Sequence, residues 1–256
     1  MPRLCLACRR TLLPSERDLC CTCRADLPLT RFAGMSHNPM ADRFNERIQE
    51  RMDRAACPGG TAGNGDTPGG GLEPYAFAAA LFHYSPQSPY SAITQHLKYN
   101  RGLAAGRRFA AQLGEDLAAS PLFRDVDIVV PVPLHPSRLR KRGYNQAEII
   151  ARELARCLKA TLVPNLLRRT RRTRTQTELT VEEKAANVSG AFEVAGNRID
   201  STRLSEAPSC RPLPRHILLV DDVFTTGATL AECHAALRKV FPPPVRISAA
   251  SLGFTG

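Results

Sequence analysis

The sequence predicts an α/β domain, a mainly parallel sheet wrapped by helices on both faces, with a small cysteine-rich module ahead of it. Three observations carry this expectation. From residue 75 onward, short apolar runs alternate with helix-periodic segments, as strand–helix–strand units require. One such run, "ILLV" at 217–220, ends in two adjacent acids and then in "VFTTGATL". Cys5, Cys8, Cys20, Cys21 and Cys23 crowd the N-terminus, while Cys57, Cys157, Cys210 and Cys233 are scattered.

Residues 1–30 are read as the cysteine module. Cys5-x-x-Cys8 and Cys20-x-x-Cys23 let two turns present four thiolates tetrahedrally, a soft-ligand arrangement suited to structural zinc because no coordination position stays open. Cys21 is surplus; it could replace a neighbour, but only Cys20 with Cys23 keeps the usual spacing. A redox dithiol is the alternative, without the βαβ context such a motif needs. The uneven cysteine placement reads as a reduced compartment and a cytoplasmic protein. No stretch reaches eighteen apolar residues, so no membrane insertion is expected.

Residues 31–74 read as a polar and glycine-rich linker or insertion. Segment 34–54 has few large apolar residues, and 57–74 is dense in Gly and Pro with almost nothing to bury. No strand precedes those glycines and no Lys follows, so they do not form a P-loop.

The folded domain is expected over 75–256. "YAFAAALFHY" suits a strand, and Leu103, Phe109, Leu113 and Leu117 share one face of a helix. "VDIVVPVP" reads as a buried strand stopped by Pro131 and Pro133. Asn145 and Glu148 have capping-box spacing, opening a helix with Ile150, Leu154, Cys157 and Leu158 in one stripe. A short strand near "TLVPNLL" follows, then a basic segment at 168–184 and a loop at 196–214. "HILLV" is a second buried strand, "ATLAECHAALRKV" a helix with Leu230, Cys233, Leu237 and Val240 inward, and "VRISAASLGF" the closing strand.

Asp221 and Asp222 are expected at the end of their strand, since buried carboxylates need partners to offset desolvation. In a parallel sheet that end is where ligands bind. Thr225, Thr226, Gly227 and Thr229 then enter a helix whose first amides lack partners within the helix, a place fitted to a phosphate dianion. Gly227 allows close approach or a positive φ. The acids suit ribose hydroxyls or a magnesium ion.

Net charge is +11, from 35 Lys and Arg against 24 Asp and Glu, which favours phosphorylated metabolites or nucleic acid as partners. Arg138, Arg140, Lys141 and Arg142 form one basic cluster; Arg168, Arg169, Arg171, Arg172 and Arg174 form another, crowded enough to await an anion. Aromatic residues that could stack single-stranded bases are scarce, with Tyr99 and Tyr144 near basic residues and no Trp. His96, His135, His216 and His234 have no ligand spacing and read as surface or packed residues.

"ILLVDDVFTTGATL" resembles the phosphoribosyl pyrophosphate (PRPP) motif of type I phosphoribosyltransferases. "DIVVPVPLHPSRLRKRGYNQAEIIAREL", "LLRRTRRTRTQTELTVEEKAANVSGAF", "LKYNR" and the cysteine-rich start together resemble the ComF/GntX family of competence-associated proteins. The resemblance implies a Rossmann-like phosphoribosyltransferase domain that binds PRPP with Mg2+ and releases pyrophosphate on transfer. It implies Asp221, Asp222 and Arg142 as catalytic residues, and Val223, Thr225, Thr226, Gly227, Ala228 and Thr229 around the 5′-phosphate. Pro131, Val132 and Pro133 would form the pyrophosphate loop, and a mobile basic loop with Arg168, Arg169, Arg171, Arg172, Arg174 and Gln176 would cover the site. The family also implies single-stranded DNA and competence-machinery proteins as partners; the alternative function is non-catalytic DNA handling on a degenerate fold.

Overall fold

In the computed structural model the described residues are 2–56, 72–97, 103–170, 190–195 and 213–256. Their strands are β1 (Ala78–His83), β2 (Ile128–Pro131), β3 (Thr161–Leu162), β4 (Leu167–Arg169), β5 (Phe192–Val194), β6 (His216–Phe224) and β7 (Arg246–Phe254). Five of them make one sheet in the order β1-β7-β6-β2-β3, every neighbour parallel, and β4 pairs with β5 as an antiparallel ribbon.

The sequence alternation is therefore realised as parallel pairing. Residues 78–82, 217–220 and 247–254 are buried without interruption, as strands covered on both faces must be. The helices that cover them are α1 (Cys21–Ala25), α2 (Pro39–Ala56), α3 (Ser91–His96), α4 (Leu103–Ala119), α5 (Pro136–Arg142), α6 (Gln146–Leu158) and α7 (Ala228–Arg238). α4 and α6 pack together, as do α2 and α7. The chain steps outward from β2 to β3 through α6, and in the opposite direction from β6 to β7 through α7. Right-handed crossovers of opposite direction put α6 and α7 on opposite faces. They also leave a crevice between the carboxyl ends of β2 and β6, where the strand order reverses.

Helix α2 departs from the sequence expectation. Residues 39–56, read as part of a polar linker, form an eighteen-residue helix. Met40, Ala41, Phe44 and Ile48 are buried, a stripe narrow enough to cover α7 and β1 while most of the helix stays polar. Its start carries the expected chemistry: Asn38 Oδ1 accepts from Met40 N at 3.1 Å and Ala41 N at 3.0 Å, and Pro39 fills the first helical position. The Gly-rich stretch is outside the described residues up to 71.

Smaller differences have local causes. Leu230, Cys233 and Leu237 are buried, but Val240 is 39% exposed because α7 ends at Arg238 and the chain turns away. Asn145 caps α6 by accepting from Ala147 N at 3.2 Å. Glu148 instead binds Arg152 one turn on, so only half of the expected box forms. The basic segment begins in β4, and Arg171, Arg172, Arg174 and Gln176 lie outside the described residues, as does most of the loop at 196–214.

The cysteine module is tied to the sheet. Thr30 N donates to Leu81 O at 3.0 Å and His83 N to Pro28 O at 2.8 Å, so the chain leaving the module covers the free edge of β1. Arg108 Nη2 on α4 holds Asp18 Oδ1 at 2.6 Å.

Candidate functional site

β2 ends its pairing with β6 at Pro131 opposite Val220. β6 does not stop there: it continues beside β7 to Phe224. Asp221 and Asp222 thus lie inside β6, not after its last residue, but beyond the point where β2 leaves. On that side no strand pairs with them, and both half-buried residues border a cavity.

That cavity is about 300 Å³, near the lower end for small-molecule sites. Asp221, Asp222 and Val223 line it together with Thr225, Gly227, Ala228 and Thr229. Val132 and Pro133 form the wall at the end of β2, and Arg138, Arg142 and Arg169 contribute three guanidinium groups. Pro131 stays in the strand and Arg168 faces outward toward Glu193 at 3.6 Å; neither lines the cavity. Thr226 is also outside the lining, with its Oγ1 accepting from Ala228 N at 3.5 Å.

Local structure aims the threonine loop. Gly227 precedes α7 with φ +77° and no side-chain cap, a conformation costly for any residue with a Cβ. A Cβ there would stand 2.7 Å from Phe224 Cζ. The carbonyls of the loop point outward to α2: Arg43 Nη1 donates to Thr225 O at 3.3 Å and Arg47 Nε to Thr226 O at 3.3 Å. Arg51 pairs with Glu232 of α7, which also accepts from Gly190 N at 2.9 Å. The helix misread as linker therefore braces the loop from behind. Its signal was available in the sequence as the Asn-Pro start and the 40, 44, 48 spacing.

On the opposite wall, Asn145 does two jobs. Its Oδ1 caps α6 and its Nδ2 donates to Val132 O at 2.9 Å, fixing the loop at 131–133 to the start of that helix. Tyr84, Leu134, Gln146, Ala147 and Leu230 complete the lining and were not singled out from sequence.

Charge in the cavity is mixed. The Asp221 carboxyl is held well above the usual carboxylate range, first by burial and then by the neighbouring Asp222 charge, with Arg169 pulling the other way. Asp221 Oδ1 accepts from Asp222 N at 2.9 Å. Burial lowers Arg169, as does the like charge of Arg138. Two acids beside a basic wall make a site for a ligand with both hydroxyl or cation groups and anionic groups.

The cysteine cluster is a separate centre. The thiols of Cys5, Cys8, Cys20 and Cys23 all lie within 4.8 Å of one another, and Cys8 Sγ is 3.8 Å from Cys20 Sγ. Tetrahedral Zn–S bonds of ~2.3 Å require sulfur pairs at ~3.8 Å, so the four thiols could hold such an ion. Cys20 N donates to Cys5 Sγ at 3.4 Å and Cys23 N to Cys20 Sγ at 3.5 Å. Burial raises the Cys5 thiol, but N–H groups of Cys8, Cys20 and Ala7 outweigh it and bring it down to about 6. Cys21 is outside the cluster, with its sulfur 3.8 Å from Arg10 Nη2. His216 and His234 are packed, each against a carboxylate: Asp125 at 2.8 Å and Glu73 at 3.2 Å.

No helix among the described residues is long and apolar enough to cross a membrane. No family model matches the chain. Competence protein F of Haemophilus influenzae is 32% identical over 155 residues, 59% of this chain and 63% of that protein; the chain thus covers less than two thirds of that relative. DNA utilization protein YhgH is 25% identical over 239 residues in Salmonella typhi. In Escherichia coli (strain K12) it is 26% identical over 241 residues. Both matches span 91% of this chain and 89% of the relative. The chain is thus similar to Competence protein F over part of its length and to DNA utilization protein YhgH over most of it.

Proposed function

We propose that the crevice binds PRPP with magnesium and transfers its phosphoribosyl group to an acceptor, releasing pyrophosphate. The observation that carries this reading is the meeting of the acid pair, the Thr225–Thr229 turn and the 131–133 loop on one cavity where the sheet's strand order reverses. In this reading the 5′-phosphate sits at the N-terminus of α7, and Asp221 with Asp222 accept from the ribose hydroxyls. The donor set also fits a hard cation, because two carboxylates with Asp221 short of positive charge are what magnesium prefers. Magnesium, when bound, supplies neutralisation of the pyrophosphate oxygens.

Breaking the bond from the anomeric carbon to oxygen sends the electron pair to pyrophosphate and builds positive character on the sugar ring. Arg138, Arg142 and Arg169 stabilise the departing charge. The acceptor's lone pair then forms the new bond. The same proposal assigns residues 75–256 to the transferase-like domain, with α2 packed against it, and residues 1–30 to a module holding structural zinc. It places the protein in the cytoplasm, where thiols stay reduced.

The relatives' names favour a link to competence and DNA utilization. A second reading therefore has the same basic surface handle single-stranded DNA without catalysis. The two separate in one experiment. PRPP with magnesium should raise the melting temperature of the full chain, by the equivalent of ~2.7 kcal/mol at a hundredfold excess over Kd, whereas ribose should not. Asp221→Asn with Asp222→Asn should abolish the shift. A wild-type protein indifferent to PRPP, yet binding single-stranded DNA with steep salt dependence, would favour the second reading.

A further inference from the structure

Gln146 opens α6 at its first helical position and stands in the cavity wall while only 2% exposed. Its Nε2 is buried and makes no hydrogen bond. Such a group is expensive to leave unmade, and the great majority of buried polar atoms find a partner. The adjacent Asn145 is already committed, its amide to Val132 O and its oxygen to Ala147 N. The last torsion of a carboxamide is soft, so this N–H2 can reorient within the cavity wall that Gln146 helps to form.

We infer that Gln146 donates to an oxygen of a condensed phosphate bound at the α6 end of the cavity, and so separates pyrophosphoryl ligands from simple phosphate monoesters. Two features make the acceptor anionic, and a third places it. The N-terminus of a thirteen-residue helix points at the spot. Arg138 and Arg142 line the same wall. The tethered loop at Val132 and Pro133 sits on the other side of Asn145. The acids and the α7 N-terminus line the same cavity, so a ligand with a monophosphate at one end and a diphosphate at the other would meet both helix starts. The inference rests on the PRPP reading for the sugar, but not for the diphosphate.

Calorimetric titration of the full chain with magnesium and pyrophosphate tests it, beside ribose 5-phosphate as a probe of the α7 end. Gln146→Leu should weaken pyrophosphate at least tenfold, the effect of losing a hydrogen bond to a charged group of roughly 1.5–3 kcal/mol, and leave ribose 5-phosphate within twofold. The variant's melting temperature should equal or exceed the wild type's, since an unpartnered polar group is removed. Gln146→Met, unbranched and of similar length, serves if the leucine variant misfolds. Equal pyrophosphate affinity in wild type and variant, equal losses for both ligands, or no pyrophosphate binding by the wild type overturns the inference. Pyrophosphate binding that depends on Gln146, in a protein that ignores PRPP and ribose 5-phosphate, would uphold this subsite and remove the transferase reading instead.

Discussion

Replacing Gly227 by alanine separates two costs that the threonine turn imposes. The first is conformational: φ is +77°, and an L-residue in that region loses roughly 1–2 kcal/mol. The second is steric: the new Cβ would lie 2.7 Å from Phe224 Cζ and 3.2 Å from its Cε2. That ring cannot swing aside freely, because Phe224 is 1% exposed and packed against Phe44 and Phe254. Overpacking of this kind costs about 1–3 kcal/mol, so Gly227→Ala should lose roughly 2–5 kcal/mol in total. At ~2–4 °C per kcal/mol for a chain of this size, the melting temperature should fall by roughly 4–20 °C. Gly143→Ala is the internal control. Gly143 has φ +81° but nothing within 4 Å of an added Cβ, so only the conformational cost applies, about 2–8 °C. Thermal melts followed by circular dichroism, without ligand, measure both. A Gly227→Ala loss no larger than that of Gly143→Ala would refute the steric argument and the placement of Phe224 under the turn.

Two further predictions concern the metal cluster and pH. Purified protein should carry about one zinc per chain by mass spectrometry, as a four-thiolate site requires. Cys5→Ser should remove it and lower the melting temperature; a metal-free wild type with the melting temperature of the variant would contradict this. His216 and His234 both have pKa values lowered from the ordinary imidazole value, mainly by burial, against the raising effect of Asp125 and Glu73. The unfolded chain takes up these protons from about pH 6.5 downward while the native state resists them, so stability is present above that pH and is lost as the pH falls toward the native values. Melting temperature should therefore drop between pH 7.5 and 5.5, and His234→Gln should flatten the drop; an equal slope in the variant would exclude that histidine.

What could be read from sequence followed periodicity and chemistry that are local. The parallel α/β class came from alternating runs whose burial is continuous, and the thiol cluster from a spacing that two short turns satisfy by themselves. Both acids and Gly227 were placed near the cavity for the same reason: a strand, a turn and a helix start are contiguous in the chain. α2 was missed because counting apolar residues hides a stripe as narrow as Met40, Phe44 and Ile48, although its Asn38 and Pro39 start was in view.

The sequence by itself determined which segments would be the main strands of the parallel sheet, which cysteines would gather and which turn could carry a positive φ, since each depends on residues a few positions apart. Only the tertiary structure decided that β2 stops before β6 does, leaving Asp221 and Asp222 unpaired on that side. It alone brought Arg43 and Arg47 behind the turn and set Gln146 on the same cavity as the acids. Those relations join residues tens to nearly two hundred positions apart, and no local propensity encodes a distance that only packing of the whole sheet creates.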